Sequence, residues 1–494
     1  MSVPILSVAE MRAWEQATWA AGVAPDAVIR RVGERVVARL RGLRRPGDRV
    51  LVLAGRGNNG ADANAAAAHL PVESTEVLPL ADPAAGWPAL QAALARRPQW
   101  ILDGLFGIGL NRPLDPGWQR CLHAINGSGA RIVAVDVPSG LDADTGRDWG
   151  AVLRASRTLT IGAPKRGLLA PSAWEVVGAL EVLRDVGLTG EPSGSDDRDW
   201  VLPEDFRDWP PDRPVSANKG LFGRVVVLAG SVGYSGAAVL ALWGASRARP
   251  GLLSALVPEA VHGAVSAAVP VAMVHPFMPR HPILAEATAV LVGPGLAAKP
   301  PAVDVHAEVL RLWREFPGVV VADASALDWL SDAGPEVPGA GPRVITPHPG
   351  EMARLLGTSV ATVQADRPAA LRAFAGRGPV WVVLKGHQTL VGGAQGRLLV
   401  NSTGNPGLAQ GGSGDVLAGF LTGLLAQPRL QSDLRRTLAL GVWEHGRTAD
   451  FLEARSRNWT ATELADAIGG DAEPGASAPP KEIPTKSCAA GRSP

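Results

Sequence analysis

The 494-residue chain is poor in cysteine, in charge of one sign and in long apolar runs. Cys121 and Cys488 are too few for a disulfide framework, which favours a reducing compartment. A formal net charge of +1 is far from the basic excess typical of nucleic-acid binding, so we expect small-molecule partners and no nucleic acid. No apolar run approaches the roughly 18 residues of a membrane span, and the first residues do not resemble a secretion signal. These absences predict a cytoplasmic protein with no membrane partner.

The length of the chain predicts two units, because one hydrophobic core rarely supports so many residues. Residues 188–214 are rich in Gly, Pro, Ser and Asp and interrupt the apolar periodicity, so a linker is predicted there. We place the first unit at residues 1–195 and the second at 205–470. Residues 471–494 have a composition that buries little apolar surface, and we predict a disordered tail.

Short apolar runs followed by polar or glycine residues recur in both units, with helical patterns between them. Such runs are typical of buried parallel strands, and the alternation predicts a doubly wound α/β fold for each unit. The predicted strands are residues 49–53, 100–102, 132–135, 223–228, 290–292, 319–322 and 380–384. Ligands bind beyond the carboxyl ends of such strands, so a site is expected there in each unit.

The strongest functional signal is the glycine-rich segment 402–415, which ends in Gly414-Asp415. Apolar residues follow with helical spacing from Val416, which places Asp415 at a helix amino terminus. Free amide groups and the helix dipole there can hold phosphate oxygens, and Asp415 could accept a proton from an attacking hydroxyl. The alternative is that Asp415 only caps the helix. The preceding run of turn and glycine residues favours the phosphate site.

Three further segments of the second unit follow predicted strands. His348 and Glu351 lie at a strand-to-helix junction and could contact a substrate, or they could be surface or capping groups. Lys385 could bring a cation to nucleotide phosphates, or it could be a solvated turn residue. Gly295 permits close backbone approach, or it forms a tight turn.

In the first unit, residues 55–60 match the dinucleotide-binding spacing G-x-G-x-x-G, and Asp82 lies where a ribose-binding acid could be. Asn59, Asp103 and Ser139 could supply hard oxygen ligands to a cation, and Asp136 could handle a proton. The alternative makes Asp103 and Asp136 turn formers at strand ends.

Taken together, these segments resemble the family of fused NAD(P)H-hydrate repair enzymes over about residues 5–465. In that family a Rossmann-like epimerase domain precedes a ribokinase-like, ADP-dependent dehydratase domain. The segments that carry the resemblance are Gly57-Asn58-Asn59-Gly60 with Asp62, Phe106-Gly107 with Gly109, Asp136 with Pro138-Ser139-Gly140, Asn218-Lys219-Gly220, Gly230-Ser231 with Gly236-Ala237, Gly293-Pro294-Gly295, Thr346-Pro347-His348 with Glu351, and the loop ending at Asp415.

The resemblance implies a set of site residues, with Asp136 and Asp415 catalytic. The hydrate would bind the first unit at Asn58, Asn59, Gly60, Ala61, Asp62, Gly107, Ile108, Gly109, Leu110, Asn111, Arg112, Pro113 and Asp136. Potassium would bind at Asn59, Asp103 and Ser139. Gly295, His348 and Asp415 would contact the hydrate in the second unit. ADP, with magnesium, would contact Lys385, Gly386, His387, Gln388, Thr389, Asn405, Pro406, Gly407, Leu408, Ala409, Gln410, Gly411, Gly412, Ser413 and Gly414. We also expect a homo-oligomer.

The chain departs from the family pattern at three positions of the first unit. Ala61 and Ala63 replace glycines, and Ile108 replaces a usual threonine. A methyl group in a loop that touches its ligand can obstruct binding, so a weaker epimerase half is expected. The alternatives are a ribokinase-like small-molecule kinase fused to a nucleotide-binding module without epimerase activity, or fused to a Rossmann dehydrogenase domain. A catalytically silent interaction module is the remaining possibility for the first unit.

Overall fold

The computed structural model describes residues 2–297, 302–332 and 341–470. Two sheets organise this part of the chain. The strands are β1 (Val3–Pro4), β2 (Val50–Ala54), β3 (Thr75–Pro79), β4 (Trp100–Gly104), β5 (Arg131–Val135), β6 (Arg157–Ile161), β7 (Ala179–Leu183), β8 (Arg198–Trp200), β9 (Arg224–Leu228), β10 (Leu252–Val257), β11 (Met273–Pro276), β12 (Ala289–Val292), β13 (Val319–Ala322), β14 (Arg343–Ile345), β15 (Val380–Leu384), β16 (Leu390–Gly392) and β17 (Leu398–Val400).

Helices separate most of the strands and cover the sheets. They are α1 (Val8–Ala20), α2 (Pro25–Leu43), α3 (Asn58–Ala67), α4 (Pro83–Ala95), α5 (Pro116–Asn126), α6 (Trp174–Val177), α7 (Ser235–Arg247), α8 (Glu259–Ala268), α9 (Val303–Glu315), α10 (Ser325–Asp332), α11 (Pro349–Leu356), α12 (Val360–Ala365), α13 (Arg367–Ala375), α14 (Ser413–Leu425), α15 (Pro428–Gln431), α16 (Leu434–Arg455) and α17 (Ala461–Ala467). Among the described residues, no helix is both long and apolar enough to cross a membrane.

The first sheet has the order β3-β2-β4-β5-β6-β7, and each pair of neighbours is parallel. Alternate residues of its strands point into two different apolar clusters, so both faces of the sheet are buried. Val50 and Val52 pack on one face, whereas Leu51 and Leu53 pack on the other. The order turns back between β2 and β4, and this switch point lies where the predicted first site was expected.

The second sheet has eleven strands in the order β1-β8-β17-β16-β15-β14-β13-β12-β9-β10-β11. Strands β9 to β15 pair in parallel, and β16 and β17 add an antiparallel extension. Alternate residues again face different clusters, as Val225 and Val226 do in β9. The prediction of a doubly wound α/β architecture is confirmed.

The segment predicted as a linker contains a strand. Residues 198–200 form β8, which pairs in parallel with β17, while β1 from the chain's amino terminus pairs antiparallel with β8. Trp200 is buried, and Asp199 accepts hydrogen bonds from Arg397 and Arg435 of the second unit. The short strand therefore ties the start of the chain to the second sheet. Residues 471–494, predicted to be a disordered tail, lie outside the described residues.

Candidate active sites

In the first unit, Asp103 at the end of β4 and Ser139 after β5 form a buried pair. Ser139 Oγ donates to Asp103 Oδ1 at 2.6 Å, and the Ser139 amide donates to Asp103 Oδ2 at 2.9 Å. Burial raises the pKa of Asp103 to about 6, although the hydrogen bonds from Ser139 oppose the shift. The two predicted metal ligands therefore meet at the edge formed by neighbouring parallel strands.

Asn59, the third predicted metal ligand, joins this pair from the first turn of α3. Its Nδ2 donates to the Phe106 carbonyl at 3.0 Å, and the Phe106 amide in turn donates to Ser139 Oγ at 2.9 Å. Asn59 Oδ1 is buried and accepts no hydrogen bond. A buried oxygen without a donor is costly, so a cation beside Asn59 and Asp103 would satisfy it. These hard oxygen donors fit a potassium ion.

Asp136 follows β5 in a left-handed backbone conformation, with φ of +64°. Its Oδ1 accepts from Lys165 Nζ at 2.5 Å and from the Ile161 amide at 3.1 Å. Lys165 is fully buried and also donates to Thr160 Oγ1 at 3.1 Å. Lys165 was not among the predicted site residues. The signal was a lysine just beyond an apolar run in a chain that has few lysines.

Two further carboxyl groups, the buried Asp62 and the half-buried Glu15, lie near this ion pair. Burial, reinforced by the charges of Asp136 and Glu15, raises the pKa of Asp62 to about 8. Burial and Asp136 also raise the pKa of Glu15, which lies on α1 and was not predicted as a site residue. Lys165 opposes both shifts. The first unit thus gathers carboxyl groups around one buried cation, an arrangement suited to holding and moving protons.

The substituted positions of the glycine motif have different environments. Helix α3 begins at Asn58, so Ala61 and Ala63 lie on a helix. Ala63 is completely buried in an apolar cluster beneath the sheet, and its methyl group packs into the core. Ile108 packs against the large apolar cluster that includes Leu141. The Ala63 methyl group is therefore part of the apolar core, and a weaker epimerase half stays a prediction.

The other residues predicted to hold the hydrate lie around this centre or beside it. Gly60 is buried in α3, and Gly107 lies against the Asn59 side chain. The stretch 109–113 is mostly exposed and forms a loop between β4 and α5. Asp82 is not a free ribose-binding acid, because its carboxylate accepts the amides of Ala84 and Ala85 and caps α4.

In the second unit, the glycine-rich segment leads into α14 as predicted. Gly412 is the N-cap with φ of +97°, a conformation that favours glycine, and no side chain caps this helix. Asp415 lies in the first turn, so the alternative in which it caps α14 is wrong. Ser413 Oγ instead donates to the Leu408 and Gln410 carbonyls and fixes the turn before the helix. The Ser413 amide donates to the Gln410 carbonyl at 3.4 Å, so the amides of Gly414 and Asp415 are the ones that can meet phosphate oxygens.

Beside this helix, side chains at the ends of three adjacent strands converge. Lys385 Nζ after β15 donates to Asp323 Oδ1 at 2.8 Å, and Thr346 Oγ1 after β14 donates to the same oxygen at 2.7 Å. Asp323, directly after β13, was missed by the sequence analysis. Burial opposes a charge on Lys385, but Asp323 and Glu351 outweigh this effect and raise the pKa of Lys385. The lysine is therefore a permanent cation.

Asp415 faces this group of charges. Burial, together with the charge of Asp323, raises the pKa of Asp415 to about 7, while Lys385 opposes the shift. A Cβ atom placed on Gly414 would lie 3.4 Å from Lys385 Nζ, so the lysine reaches the amino terminus of α14. The predicted base and the predicted phosphate-binding cation therefore share one site.

His348 has a structural role that the sequence analysis named only as an alternative. Its Nδ1 accepts the amides of Gly350 and Glu351 at 3.0 and 3.3 Å, and the Glu351 carboxylate accepts the His348 amide at 2.8 Å. This is a capping box at the start of α11. The side chain of His348 is still 52% exposed, so its other edge faces solvent and can meet a substrate. Gly295 accepts a hydrogen bond from Ser231 Oγ at 2.7 Å.

The two predicted nucleotide segments differ in how they are held. Asp450 of α16 accepts the Gly404 amide and Asn405 Nδ2, each at 2.9 Å, and so fixes the start of the glycine-rich segment. The segment 385–389 follows β15, and the buried Arg367 of α13 donates to its backbone carbonyls. Sequence reasoning identified neither Asp450 nor Arg367, because each lies far along the chain from the segment it supports.

The fold and the two sites are those of an α/β enzyme with one cluster of charged side chains at the strand ends of each unit. The family model described as NAD(P)H-hydrate dehydratase matches residues 225–469, and the model described as YjeF-related protein N-terminus matches residues 25–96 and 82–167. The bifunctional NAD(P)H-hydrate repair enzyme Nnr of Gloeobacter violaceus is 36% identical over 91% of this chain and 94% of its own. That of Escherichia coli K12 is 34% identical over 84% and 83%.

The chain belongs to the family of bifunctional NAD(P)H-hydrate repair enzymes. This confirms the resemblance inferred from the motifs and does not favour the kinase alternative. A solved structure of the ADP/ATP-dependent NAD(P)H-hydrate dehydratase of Bacillus subtilis, co-crystallised with ATP and Mg²⁺, is 30% identical with a TM-score of 0.46 over 52% of this chain and 91% of that one.

Proposed function

We propose that this protein repairs hydrated NADH and NADPH in two steps. The first unit interconverts the R and S hydrates. The second unit dehydrates the S hydrate, consumes ADP and releases AMP and phosphate. The observation that carries the proposal is the placement of Asp415, a half-buried carboxyl with a pKa raised to about 7, in the first turn of α14 beside Lys385.

The chemistry follows from the hydrate. Its hydroxyl is on the carbon next to the ring nitrogen, and hydroxide is a poor leaving group at neutral pH. Asp415 accepts the hydroxyl proton, and the oxygen attacks the β-phosphorus of ADP as the bond to AMP breaks. The nitrogen lone pair then expels phosphate, and loss of a ring proton restores the nicotinamide double bond. His348 and Gly295 are proposed to contact the hydrate.

The side chains around Asp415 stabilise the charge that develops during transfer. Lys385, held by Asp323, which also accepts from Thr346, places a fixed cation at the phosphates, and the amides of α14 donate to the phosphate oxygens. Magnesium bound with the nucleotide would neutralise further phosphate charge. The described residues contain no cluster of three His, Cys, Asp or Glu side chains that could hold a metal ion.

In the first unit, Asp136 is proposed to exchange a proton with the hydrate while Lys165 holds the carboxylate in place. Opening or ionisation at the hydroxyl-bearing carbon lets the hydroxyl return on the other face. Potassium would be held by Asn59, Asp103 and Ser139 and would supply a fixed positive charge beside the substrate. The unpaired Asn59 Oδ1 supports this assignment.

We also propose that the protein is located in the cytoplasm and forms a homo-oligomer. A reducing cytoplasm is supported by Cys121, which is buried as a free thiol. A homo-oligomer stays a prediction, and light scattering on the purified protein measures it.

The proposed function is tested by incubating the protein with hydrated NADH, ADP and Mg²⁺. We expect reduced-nicotinamide absorbance to return, with one AMP and one phosphate formed for each NADH. ADP consumption that yields a stable phosphorylated product without NADH would instead support a small-molecule kinase. Absence of both products would reject the dehydratase assignment.

A further inference from the structure

The backbone of the segment 385–389, called here the nucleotide loop, adopts unusual conformations. Gly386 has φ of +136°, and Gln388 has φ of +53°, where a residue with a side chain is disfavoured. Such a backbone persists only where its surroundings hold it. Its supports therefore control the position of Lys385 at the phosphate site.

The first support is Arg367, at the start of α13. Its guanidinium donates to the carbonyls of Leu384 at 3.0 Å and Lys385 at 3.3 Å, and also to that of His387. Arg367 is 6% exposed, and these backbone oxygens are its hydrogen-bond acceptors. A planar guanidinium is suited to holding several carbonyls of one turn at once.

The second support comes from the other unit. The Trp174 ring of α6 meets the His387 ring edge-on, with centroids 5.2 Å apart and an angle of 66°, and lies 6.0 Å from the Arg367 guanidinium. Trp174 Nε1 donates to the Leu169 carbonyl at 3.3 Å, and the neighbouring Ala173 is buried in the apolar cluster that both units share. The indole is thus held by the first unit and contacts the nucleotide loop of the second unit through His387.

A cavity of about 780 Å³ adjoins this contact and is lined by residues of both units, among them Trp174, Arg367 and Gln388. The half-buried Gln388 lines this space. A loop next to an unfilled space depends more strongly on the contacts that remain. The Trp174 contact therefore has a larger effect on the loop than the area of one ring suggests.

We infer that Trp174 and Arg367 are positioning residues for the nucleotide loop, so that the epimerase unit sets the affinity of the dehydratase unit for ADP. This inference rests on the proposed function of the second unit. Neither residue touches the reacting atoms. They act by holding the backbone of residues 385–389 in the conformation that places Lys385 at the phosphates.

The test compares the full-length protein with Trp174→Ala, and uses Trp87→Ala as a matched control. Trp87 is a half-buried tryptophan of the same unit that packs against Arg120 and is remote from the second unit. We expect Trp174→Ala to raise the KM for ADP about two- to ten-fold, as the loss of an aromatic contact predicts, with kcat and epimerase rate within about twofold. Trp174→Phe should restore most of the affinity.

An unchanged KM for ADP in Trp174→Ala, or an equal rise in Trp87→Ala, would overturn the inference. Arg367→Lys keeps the positive charge but loses the planar guanidinium that bonds several carbonyls at once. This variant tests the same loop from the second unit and should also raise the KM for ADP. If the wild-type protein shows no ADP-dependent dehydration, the proposed function fails. ADP binding to the same variants, measured by calorimetry, still decides whether Trp174 positions the loop.

Discussion

Lys385 Nζ lies 2.8 Å from Asp323 Oδ1, and this ion pair spans the carboxyl ends of β15 and β13 on either side of β14. The pair keeps the lysine charged in a half-buried position and adds one negative charge near Asp415. The same contact therefore both holds the proposed phosphate-binding cation and raises the pKa of Asp415. Binding and proton transfer at this site are linked through Asp323.

Replacing Asp415 by alanine should abolish dehydration without unfolding the protein. Loss of a general base lowers a rate by about 10² to 10⁴-fold, and here no other described carboxyl lies in the first turn of α14. The measurement is NADH recovery from the S hydrate with ADP. Asp433→Ala, which removes an exposed aspartate that caps α16, is the matched control and should stay active. Undiminished turnover in Asp415→Ala would remove this residue from the base role.

The pH dependence of dehydration should report the ionisation of Asp415. Its pKa is raised from 3.8 to about 7, and only the ionised form accepts a proton. The rate should therefore increase as pH rises through about 7 and level off above it. The measurement is kcat for the S hydrate at saturating ADP across this range. A rise in kcat with its midpoint near pH 4, the ordinary range of an aspartate, would contradict the assignment of Asp415 as the base.

The Asp136–Lys165 pair should be important for stability as well as for epimerisation. Lys165→Met leaves Asp136 without its cation in a buried site, and breaking such a pair costs about 3–5 kcal/mol. We expect a lower urea midpoint and loss of epimerase activity. The double variant Lys165→Met with Asp136→Asn should regain stability but not activity. Lys219→Met, in an exposed turn, is the control and should match the wild type.

The buried carboxyl of Asp62 should lower the stability of the folded protein at neutral pH. Its pKa is about 8 in the folded protein and near 3.9 when unfolded, so between these values only the folded state holds the proton. Stability attributable to Asp62 therefore falls as pH rises from about 4 to about 8. Asp62→Asn should be more stable at pH 7, by roughly 1 kcal/mol or more, and equal to wild type near pH 4. Thermal unfolding at the two pH values measures this, and a stability difference that does not change with pH would contradict it.

The potassium site can be tested by stability alone. A cation that binds only the folded protein raises its unfolding temperature by mass action. We expect potassium chloride to raise the unfolding temperature relative to choline chloride, and Asn59→Ala to remove the effect. Asn64→Ala, on an exposed position of the same helix, is the control. If the two salts give equal unfolding temperatures for the wild type, the potassium assignment is wrong.

Much of the fold was predictable because its strands are buried on both faces. β13 and β15 have the predicted bounds, and β2 begins within one residue of its prediction. β6 was missed because Thr158 and Thr160 interrupt its apolar pattern. Both threonines are nevertheless buried and donate hydrogen bonds. β8 was missed because its pairing partners, β1 and β17, lie far away in sequence.

The site was predictable where a motif is local. The segment 402–415 identified a helix amino terminus from spacing alone. Lys165, Asp323 and Arg367 could not be found that way, because their roles depend on which strand ends become neighbours and on burial. Their charges are satisfied only by tertiary contacts, which a sequence pattern does not contain.

Recovery of NADH from the pure R hydrate requires both repair steps from one chain. With ADP and Mg²⁺, the wild type should convert the R hydrate to NADH with one AMP released for each NADH. Asp136→Asn should convert the S hydrate at the normal rate but leave the R hydrate at its spontaneous rate. Equal conversion of the two epimers by Asp136→Asn, after subtraction of spontaneous epimerisation, would contradict the account.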